Sequence, residues 1–388
     1  MVILAMNNLV IVKKLLGLVL LATHREQYGN ENSFLQKHAK NNCNNIGGIK
    51  MACSPRIFEL TLNLDTKKFH KLLNKARDES EYQLYQKNNK HIDYALASEG
   101  IQIVYHDNTY KKKIKLIVNP NLILENHETI RLWEPSDRNI AELIHKLEER
   151  IDDYFDYKYK LKDFKLTHVA FTVNTKFIDK WKVSAYIKVL KRIGKVKGFS
   201  PANHDRIDKD ISFNLKGNSN GIEFTAYDKG RQLKRQLKEK SSQRKELEAK
   251  KAEGVLRIEV RLTEQKAIRA YTKETNTLMQ IVDLSRKSRK IFFNITLRIV
   301  PFAEFQKKDK AAKIIEEKVK NRTMINKMLK LLELIPKKKS LLLAQKALNY
   351  RKIDKVMGMF WTIGLSPITI SKRHDVKKLK NLYLYLQY

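Results

Sequence analysis

GIEFTAYDKG (residues 221–230) and GVLRIEVRL (residues 254–262) are the two stretches that decide the fold of this chain. Both alternate polar and apolar residues, which is typical of strands with one buried face and one polar face. As neighbours in a sheet, they would place five polar side chains on a common surface. These side chains are Glu223, Tyr227, Arg257, Glu259 and Arg261.

This combination of residues suits phosphodiester chemistry. Tyr227 supplies a hydroxyl nucleophile, and Lys229, just after the strand, is placed to steady the scissile phosphate. Arg257 and Arg261 are suited to binding phosphate. Each role has a structural alternative: tyrosine is common in strands, and Asp-Lys-Gly is also a turn sequence.

The segments AYDKGRQL and LRIEVRL, with the spacing between them, resemble the tyrosine motif and the acidic strand of the replication initiation factor family. This family comprises the rolling-circle initiators of plasmids and filamentous phages. The resemblance covers about residues 56–262. It implies a DNA nickase and strand transferase in which Tyr227 attacks a backbone phosphate and stays covalently attached to the 5′ end.

A divalent metal, Mg²⁺ or Mn²⁺, is the expected cofactor, with Glu259, His168 and Glu223 as candidate ligands. Glu259 lies between two arginines, so a salt-bridged lattice is an equal alternative, and a lone strand histidine is more often structural. The related initiators commonly have an acidic residue at the position of Ala170. The chain also contains no His-apolar-His triplet.

The net charge indicates nucleic acid as the partner. The 388 residues include 78 Lys and Arg against 42 Asp and Glu, a formal charge of +36. An AT-rich genome is the alternative source of this lysine excess, and a membrane surface is disfavoured because the charge is spread along the chain. A helix predicted from Gly230 to Ala252 would place Arg231, Lys234 and Arg235 along DNA phosphates, although it could equally be a solvated spacer.

The rest of residues 51–300 predicts an α+β catalytic domain. FELTLNLDTKKFHKLLNKA (58–76) and HVAFTVNTKFIDKWKVSAYIKVLKRI (168–193) each indicate a strand followed by a helix, with Asp65 and Asn174 at the positions of helix caps. Hairpins follow both. We therefore expect two β-α-β-β repeats, joined by an amphipathic helix from about Ser136 to Tyr157, in a mainly antiparallel sheet with helices on one face.

Two flanking regions differ from this domain. Residues 1–50 are predicted to be a disordered or upstream extension; their apolar run at residues 15–22 is too short for a membrane span, and a marginal anchor is the alternative. Residues 301–388 predict a helical C-terminal domain that resembles a helix-turn-helix domain in outline, or else a small bundle. Only Cys43 and Cys53 are present, which fits a reducing cytoplasm.

Two classes of function follow. The first is a rolling-circle initiator that nicks one strand of a plasmid, phage or integrated origin and binds both single- and double-stranded DNA. It would rely on a host helicase, because the chain has no GxxxxGK[ST] loop. The second is a non-catalytic DNA-binding protein derived from such an initiator. A homodimer is compatible with either class.

Overall fold

The computed structural model describes residues 53–79, 84–202, 209–237 and 243–386. Ten strands in these residues form one sheet. They are β1 (Cys53–Leu64), β2 (Tyr85–Lys87), β3 (Lys90–Asp93), β4 (Ile101–Asp107), β5 (Lys112–Val118), β6 (Lys165–Lys176), β7 (Phe199–Pro201), β8 (Ser212–Gly217), β9 (Ile222–Asp228) and β10 (Val255–Leu262). Their order is β2-β3-β4-β5-β1-β6-β10-β9-β8-β7, and all neighbours are antiparallel.

The helices pack on one side of this sheet. In the described residues they are α1 (Thr66–Glu79), α2 (Pro120–Ile123), α3 (Asp137–Tyr154), α4 (Trp181–Lys191), α5 (Lys229–Leu237), α6 (Gln243–Lys251), α7 (Gln265–Arg269), α8 (Thr277–Arg286), α9 (Ser288–Leu297), α10 (Lys308–Lys318), α11 (Arg322–Lys338), α12 (Leu341–Leu348) and α13 (Ile353–Thr362). Phe69 of α1 and Leu147 of α3 belong to the same buried core as Phe58 of β1. The predicted α+β fold class is confirmed.

Side-chain alternation explains the two faces of the sheet. Phe58, Leu60 and Leu62 of β1 are buried against the helices, as are Ile258 and Val260 of β10. A β-bulge between Pro55 and Ile57 reverses this alternation near the start of β1. The opposite face carries the polar side chains, as the sequence predicts.

The two halves of the sheet share an order of elements but not an arrangement of strands. In the first half β5 pairs directly with β1 and is antiparallel to it. In the second half β10 lies between β6 and β9, which makes β9 parallel to β6. β10, which follows the second predicted repeat in the chain, therefore lies between the first and last strands of that repeat. It brings its own polar residues next to β9.

Ser136 caps α3 by accepting a hydrogen bond from the Asn139 amide, close to the predicted helix boundary. Asp65 likewise accepts from the Lys68 amide at 2.8 Å, as predicted for a cap. The prediction for Asn174 is wrong, because β6 continues to Lys176 and α4 begins at Trp181. Asn174 instead faces the polar side of the sheet.

The C-terminal region predicted to be helical contains α11, α12 and α13. Their buried residues, Met328 and Phe360 among them, join the core of the sheet. Two short strands, β11 (Phe305–Gln306) and β12 (Lys378–Leu379), pair beside them. The division at residue 300 and the helix-turn-helix likeness stay predictions. Within the described residues, every helix is too short or too polar to cross a membrane.

Candidate functional site

Tyr227 lies at the end of β9, beside β10. In the register of these strands Tyr227 pairs with Arg257, and Thr225 pairs with Glu259. The Tyr227 hydroxyl donates a hydrogen bond to Oε1 of Glu259 at 2.7 Å. The predicted pairing of the two segments is thus confirmed, and the candidate nucleophile contacts a carboxylate.

Arginines surround that carboxylate. Oε1 of Glu259 also lies 3.4 Å from Nη1 of Arg56, and its Oε2 accepts a hydrogen bond from Nη2 of Arg261. Burial alone would raise the pKa of Glu259, but Arg261, Arg56 and Arg257 and the Tyr227 hydrogen bond outweigh it and hold the pKa well below its ordinary value. Glu259 is therefore ionised and fully partnered.

We call the set of Arg56, Tyr227, Lys229, Arg257, Glu259 and Arg261 the tyrosine cluster. Three arginines in it surround the buried carboxylate of Glu259, and Lys229 lies within electrostatic range of the same carboxylate. Burial raises the pKa of Tyr227 to about 12, and the charge of Glu259 adds to the rise. A cation-rich pocket of this kind suits an anionic ligand.

Lys229 begins α5 and is also buried. Its Nζ donates to Oε1 of Gln232 at 2.7 Å. Burial, followed by repulsion from Arg257 and Arg56, lowers the pKa of Lys229 well below its ordinary value. This shift favours the neutral amine, which suits a proton acceptor better than the predicted phosphate clamp.

Arg257 is completely buried, which differs from the expected open polar face. Its Nε donates to Oδ1 of Asn174 at 2.7 Å, and its Nη2 donates to the Thr129 carbonyl at 2.6 Å. Asn174 also donates to the Ile130 carbonyl at 2.5 Å. Residues 128–131, which we call the covering segment, therefore lie over this end of the sheet.

Two further contacts close the tyrosine cluster. The Thr129 hydroxyl bonds to Oε2 of Glu248 on α6 at 2.5 Å, which ties the covering segment to that helix. Ile211 packs against Tyr227. As a result Tyr227 is only 2% exposed.

A row of polar residues crosses the sheet through Glu259. Its pairings connect Ser54, Thr172, Glu259, Thr225 and Asn214. All five are buried, and Oγ of Ser54, Oγ1 of Thr172 and Oδ1 of Asn214 have no hydrogen-bond partner among the described residues. Buried polar atoms without partners are costly, so this row has unused capacity to bind a polar ligand.

The three predicted metal ligands do not converge. Glu259 pairs with Thr172, whereas His168 lies four residues along β6, a backbone separation of about 13 Å at strand spacing. Nδ1 of His168 is instead 4.0 Å from Oε1 of Glu59, and burial lowers the pKa of His168 to about 4. Oε2 of Glu223 is 3.8 Å from Nη1 of Arg261.

The donor geometry therefore does not fit Mg²⁺ or Mn²⁺. Arg261 lies between Glu259 and Glu223, and both oxygens of Glu259 are engaged. Within the residues that the structure describes, no group of three His, Cys, Asp or Glu side chains could hold a metal ion. Ala170, at the position where an acid was expected, pairs with Arg261.

The predicted helix from Gly230 to Ala252 is two helices in the structure, α5 and α6, so a single helix is wrong. A side chain on Gly230 would meet the Ala252 carbonyl at 2.9 Å, which shows that the ends approach closely. Arg231, Lys234 and Arg235 of α5 are exposed. Nζ of Lys234 bonds to Oε1 of Glu253 at 2.5 Å.

The other end of the polar face is open. A cavity of about 370 Å³ there, which we call the lysine groove, has ten lining residues. They are Glu59, Thr61, Asn63, Lys111, Lys113, Lys115, Lys165, Thr167, Thr263 and Gln265.

Sequence analysis missed Arg56 and the covering segment as parts of the site. Arg56 has the same parity as Phe58, so simple alternation places it in the core. Only the bulge at Pro55 turns it to the polar face. The covering segment has no sequence signal, because it contributes main-chain carbonyls.

Comparison with known proteins adds little. No family model matches the chain, and no curated protein matches it. A solved structure of a rolling circle replication initiator protein from Geobacillus stearothermophilus is similar with a TM-score of 0.28 and 14% identity, over 60% of this chain and 79% of that chain. Similarity this low neither supports nor contradicts a function.

Proposed function

We propose that this chain is a DNA strand-nicking and strand-transferring protein of the rolling-circle initiator type, with Tyr227 as its nucleophile. The observation that carries the proposal is the hydrogen bond of 2.7 Å from Tyr227 to Glu259 inside a cluster of three arginines and a lysine. A tyrosine hydroxyl for attack and guanidinium groups for a phosphate are the parts that such a reaction needs.

In the proposed step, Oη of Tyr227 attacks the phosphorus of a DNA phosphodiester. The bond from phosphorus to the 3′ oxygen breaks, and a phosphotyrosine bond to the 5′ side forms. The tyrosine loses its proton, and the departing 3′ oxygen gains one to become a hydroxyl. The reverse step rejoins the strands, because one phosphoester bond replaces another.

The proton of Tyr227 needs an acceptor. Glu259 is a weak base, since the arginines lower its pKa, and its role is to hold the tyrosine oxygen in position. Lys229 follows Tyr227 by two residues and is buried within electrostatic range of Glu259. The lowered pKa of its amine favours proton acceptance once Nζ leaves Oε1 of Gln232. Lys229 is the acceptor in this proposal, and Arg257 and Arg261 stabilise the charge that develops on the phosphate.

DNA must reach a buried tyrosine. Ile211 and the covering segment would have to move away before a phosphate could contact Tyr227. Arg231, Lys234 and Arg235 on exposed α5 would bind the flanking backbone. A host helicase, a homodimer and a cytoplasmic location belong to the proposal as expectations.

The predicted need for Mg²⁺ or Mn²⁺ is tested separately, because Glu259 would first have to exchange its arginine partners for a metal. We assign no step to a metal. Cleavage that stops in a chelator and returns with Mn²⁺ would show that the donors rearrange; unchanged cleavage would show that the arginines suffice.

A second candidate function is a non-catalytic DNA-binding protein derived from an initiator. Two observations favour it: Tyr227 is buried, and both oxygens of Glu259 are engaged. Such a protein would keep its basic surface and bind DNA without cleaving it.

The covalent adduct separates the two functions. Purified protein would be incubated with supercoiled origin DNA and with labelled single strands, and then denatured and resolved by electrophoresis. We expect an adduct with the native chain, none with Tyr227→Phe, and an unchanged amount with the control Tyr271→Phe. An adduct that survives Tyr227→Phe places the nucleophile elsewhere, and no adduct under any condition supports the non-catalytic protein.

A further inference from the structure

The lysine groove is lined by polar and charged residues, and none of them belongs to the tyrosine cluster. Ten residues line it, and none of them is apolar. Its floor is the polar face of β5, β1 and β6, where Lys115 pairs with Thr61, and Thr61 with Lys165. The groove is therefore a polar concavity built on rigid strands.

The groove is strongly cationic. It holds four lysines against the carboxylate of Glu59, which bonds to Lys115 at 2.6 Å. Lys111, Lys113 and Lys165 have no ion pair with any residue that the structure describes. Three lysines without counterions in one concavity, beside hydroxyl and amide groups, favour a ligand with several negative charges.

One exposed aromatic ring lies next to these lysines, and a second lies further along the same face of the sheet. Tyr110 precedes Lys111 at the tip of the hairpin and is 95% exposed. Tyr85 is 52% exposed and shares a row with Lys115, three strands and about 14 Å away. Exposed rings beside a basic groove are the pattern of single-strand nucleic-acid binding, where bases stack and lysines follow phosphates.

We propose that the lysine groove binds the backbone of single-stranded DNA, with Lys111, Lys113 and Lys165 on phosphates and Tyr110 stacked on a base. The groove continues from the tyrosine cluster along β10, because Thr263 lies two residues beyond Arg261. This inference rests on the proposed function and identifies where the strand would lie on its way to Tyr227.

The experiment measures binding of a fluorescent oligothymidylate, longer than the ~4–16-nucleotide sites of single-strand binding folds, over a series of salt concentrations. The test variant changes Lys111, Lys113 and Lys165 together to Gln. The matched control changes Lys67, Lys71 and Lys162 to Gln: these lysines are exposed and lie outside the lysine groove. Both variants lose the same charge.

We expect the groove variant to lower the slope of log affinity against log salt by about 2, because each single-strand phosphate contact contributes roughly 0.7. The control should keep the native slope. Tyr110→Ala should weaken binding about tenfold with an unchanged slope, as expected for a lost base stack. Binding of a duplex of the same length should be affected less by the groove variant and by Tyr110→Ala.

The proposal would be wrong if the salt slope fell equally in the two lysine variants, or if the groove variant bound the oligonucleotide like the native protein. It would also be wrong if the groove variant lost as much affinity for the duplex as for the single strand. The adduct assay keeps the two proposals apart. If an adduct forms through Tyr227 but the groove variant binds normally, only the strand-transfer proposal is supported. If the groove variant loses single-strand binding but no adduct forms, only the single-strand binding proposal is supported.

Discussion

The two ends of the polar sheet face carry similar numbers of cationic side chains but treat them in opposite ways. At the tyrosine cluster the guanidinium groups are largely withdrawn from solvent: Arg257 is 0% exposed, and the side chain of Arg261 is 13% exposed. At the lysine groove, Lys111 and Lys165 are exposed to solvent. The covering segment lies over the first end, while the second stays open.

This difference follows the chemistry of the two basic side chains. Guanidinium groups are weakly hydrated and form several directed hydrogen bonds, which makes their burial less costly. Arg257 uses that geometry to bond both Asn174 and the Thr129 carbonyl. Ammonium groups are strongly hydrated and stay in water unless paired. The two proposals assign chemistry to the arginine end and binding of an extended chain to the lysine end.

The largest expected effect comes from Glu259→Gln at the buried end. The change removes the buried carboxylate that pairs with the partly buried guanidinium groups of Arg56 and Arg261, so we expect a loss of about 3–5 kcal/mol in the free energy of unfolding. Adduct formation should also disappear, because Tyr227 loses the charged hydrogen-bond acceptor that holds its oxygen in position. Urea denaturation and the adduct assay measure the two effects.

Glu223→Gln is the matched control for that change. Glu223 is 28% exposed and lies 3.8 Å from the same Arg261, so its loss should cost less than about 1 kcal/mol. Equal destabilisation by the two variants would mean that burial does not distinguish the two carboxylates.

His168 lies between the two ends, beside Glu59 of the lysine groove, and it should make stability depend on pH. Burial lowers its pKa from the ordinary 6.5 to about 4, so its contribution is complete above pH 6.5 and is lost as pH falls towards 4. His168→Gln should therefore reduce the loss of stability over this range by up to about 3 kcal/mol. Thermal unfolding at several pH values tests this, and superimposable curves for both proteins would contradict it.

The smallest expected effect is at the covering segment. Thr129→Val removes the hydrogen bond to Glu248 and should cost about 1 kcal/mol of stability. Because a weaker cover opens more often, the rate of adduct formation should rise by up to about fivefold. Stopped time courses of the adduct assay measure the rate.

Thr362→Val is the control, since the Thr362 hydroxyl bonds to the Gly358 carbonyl within α13 and, among the described residues, to no other group. It should lose similar stability without any change in rate. A rate that does not rise in Thr129→Val would show that the covering segment does not limit access to Tyr227.

The sequence by itself determined the longer strands of the sheet, their two faces and several helix positions. Alternation in residues 222–228 and 255–262 places Tyr227 and Glu259 on the polar side, because the period of a strand is two. Ser136 and Asp65 mark helix starts through local hydrogen bonds. These features depend on near neighbours in the chain, so a single sequence is enough to predict them.

Only the tertiary structure decided what those residues contact. The insertion of β10 between β6 and β9, the bulge that turns Arg56 towards Glu259, and the covering segment over Arg257 all join residues far apart in the chain. Whether Glu259 pairs with arginines or could meet His168 depends on register along β6 and β10, which local patterns leave undetermined. The same alternation therefore produced a buried arginine site at one end of the sheet and an open lysine groove at the other.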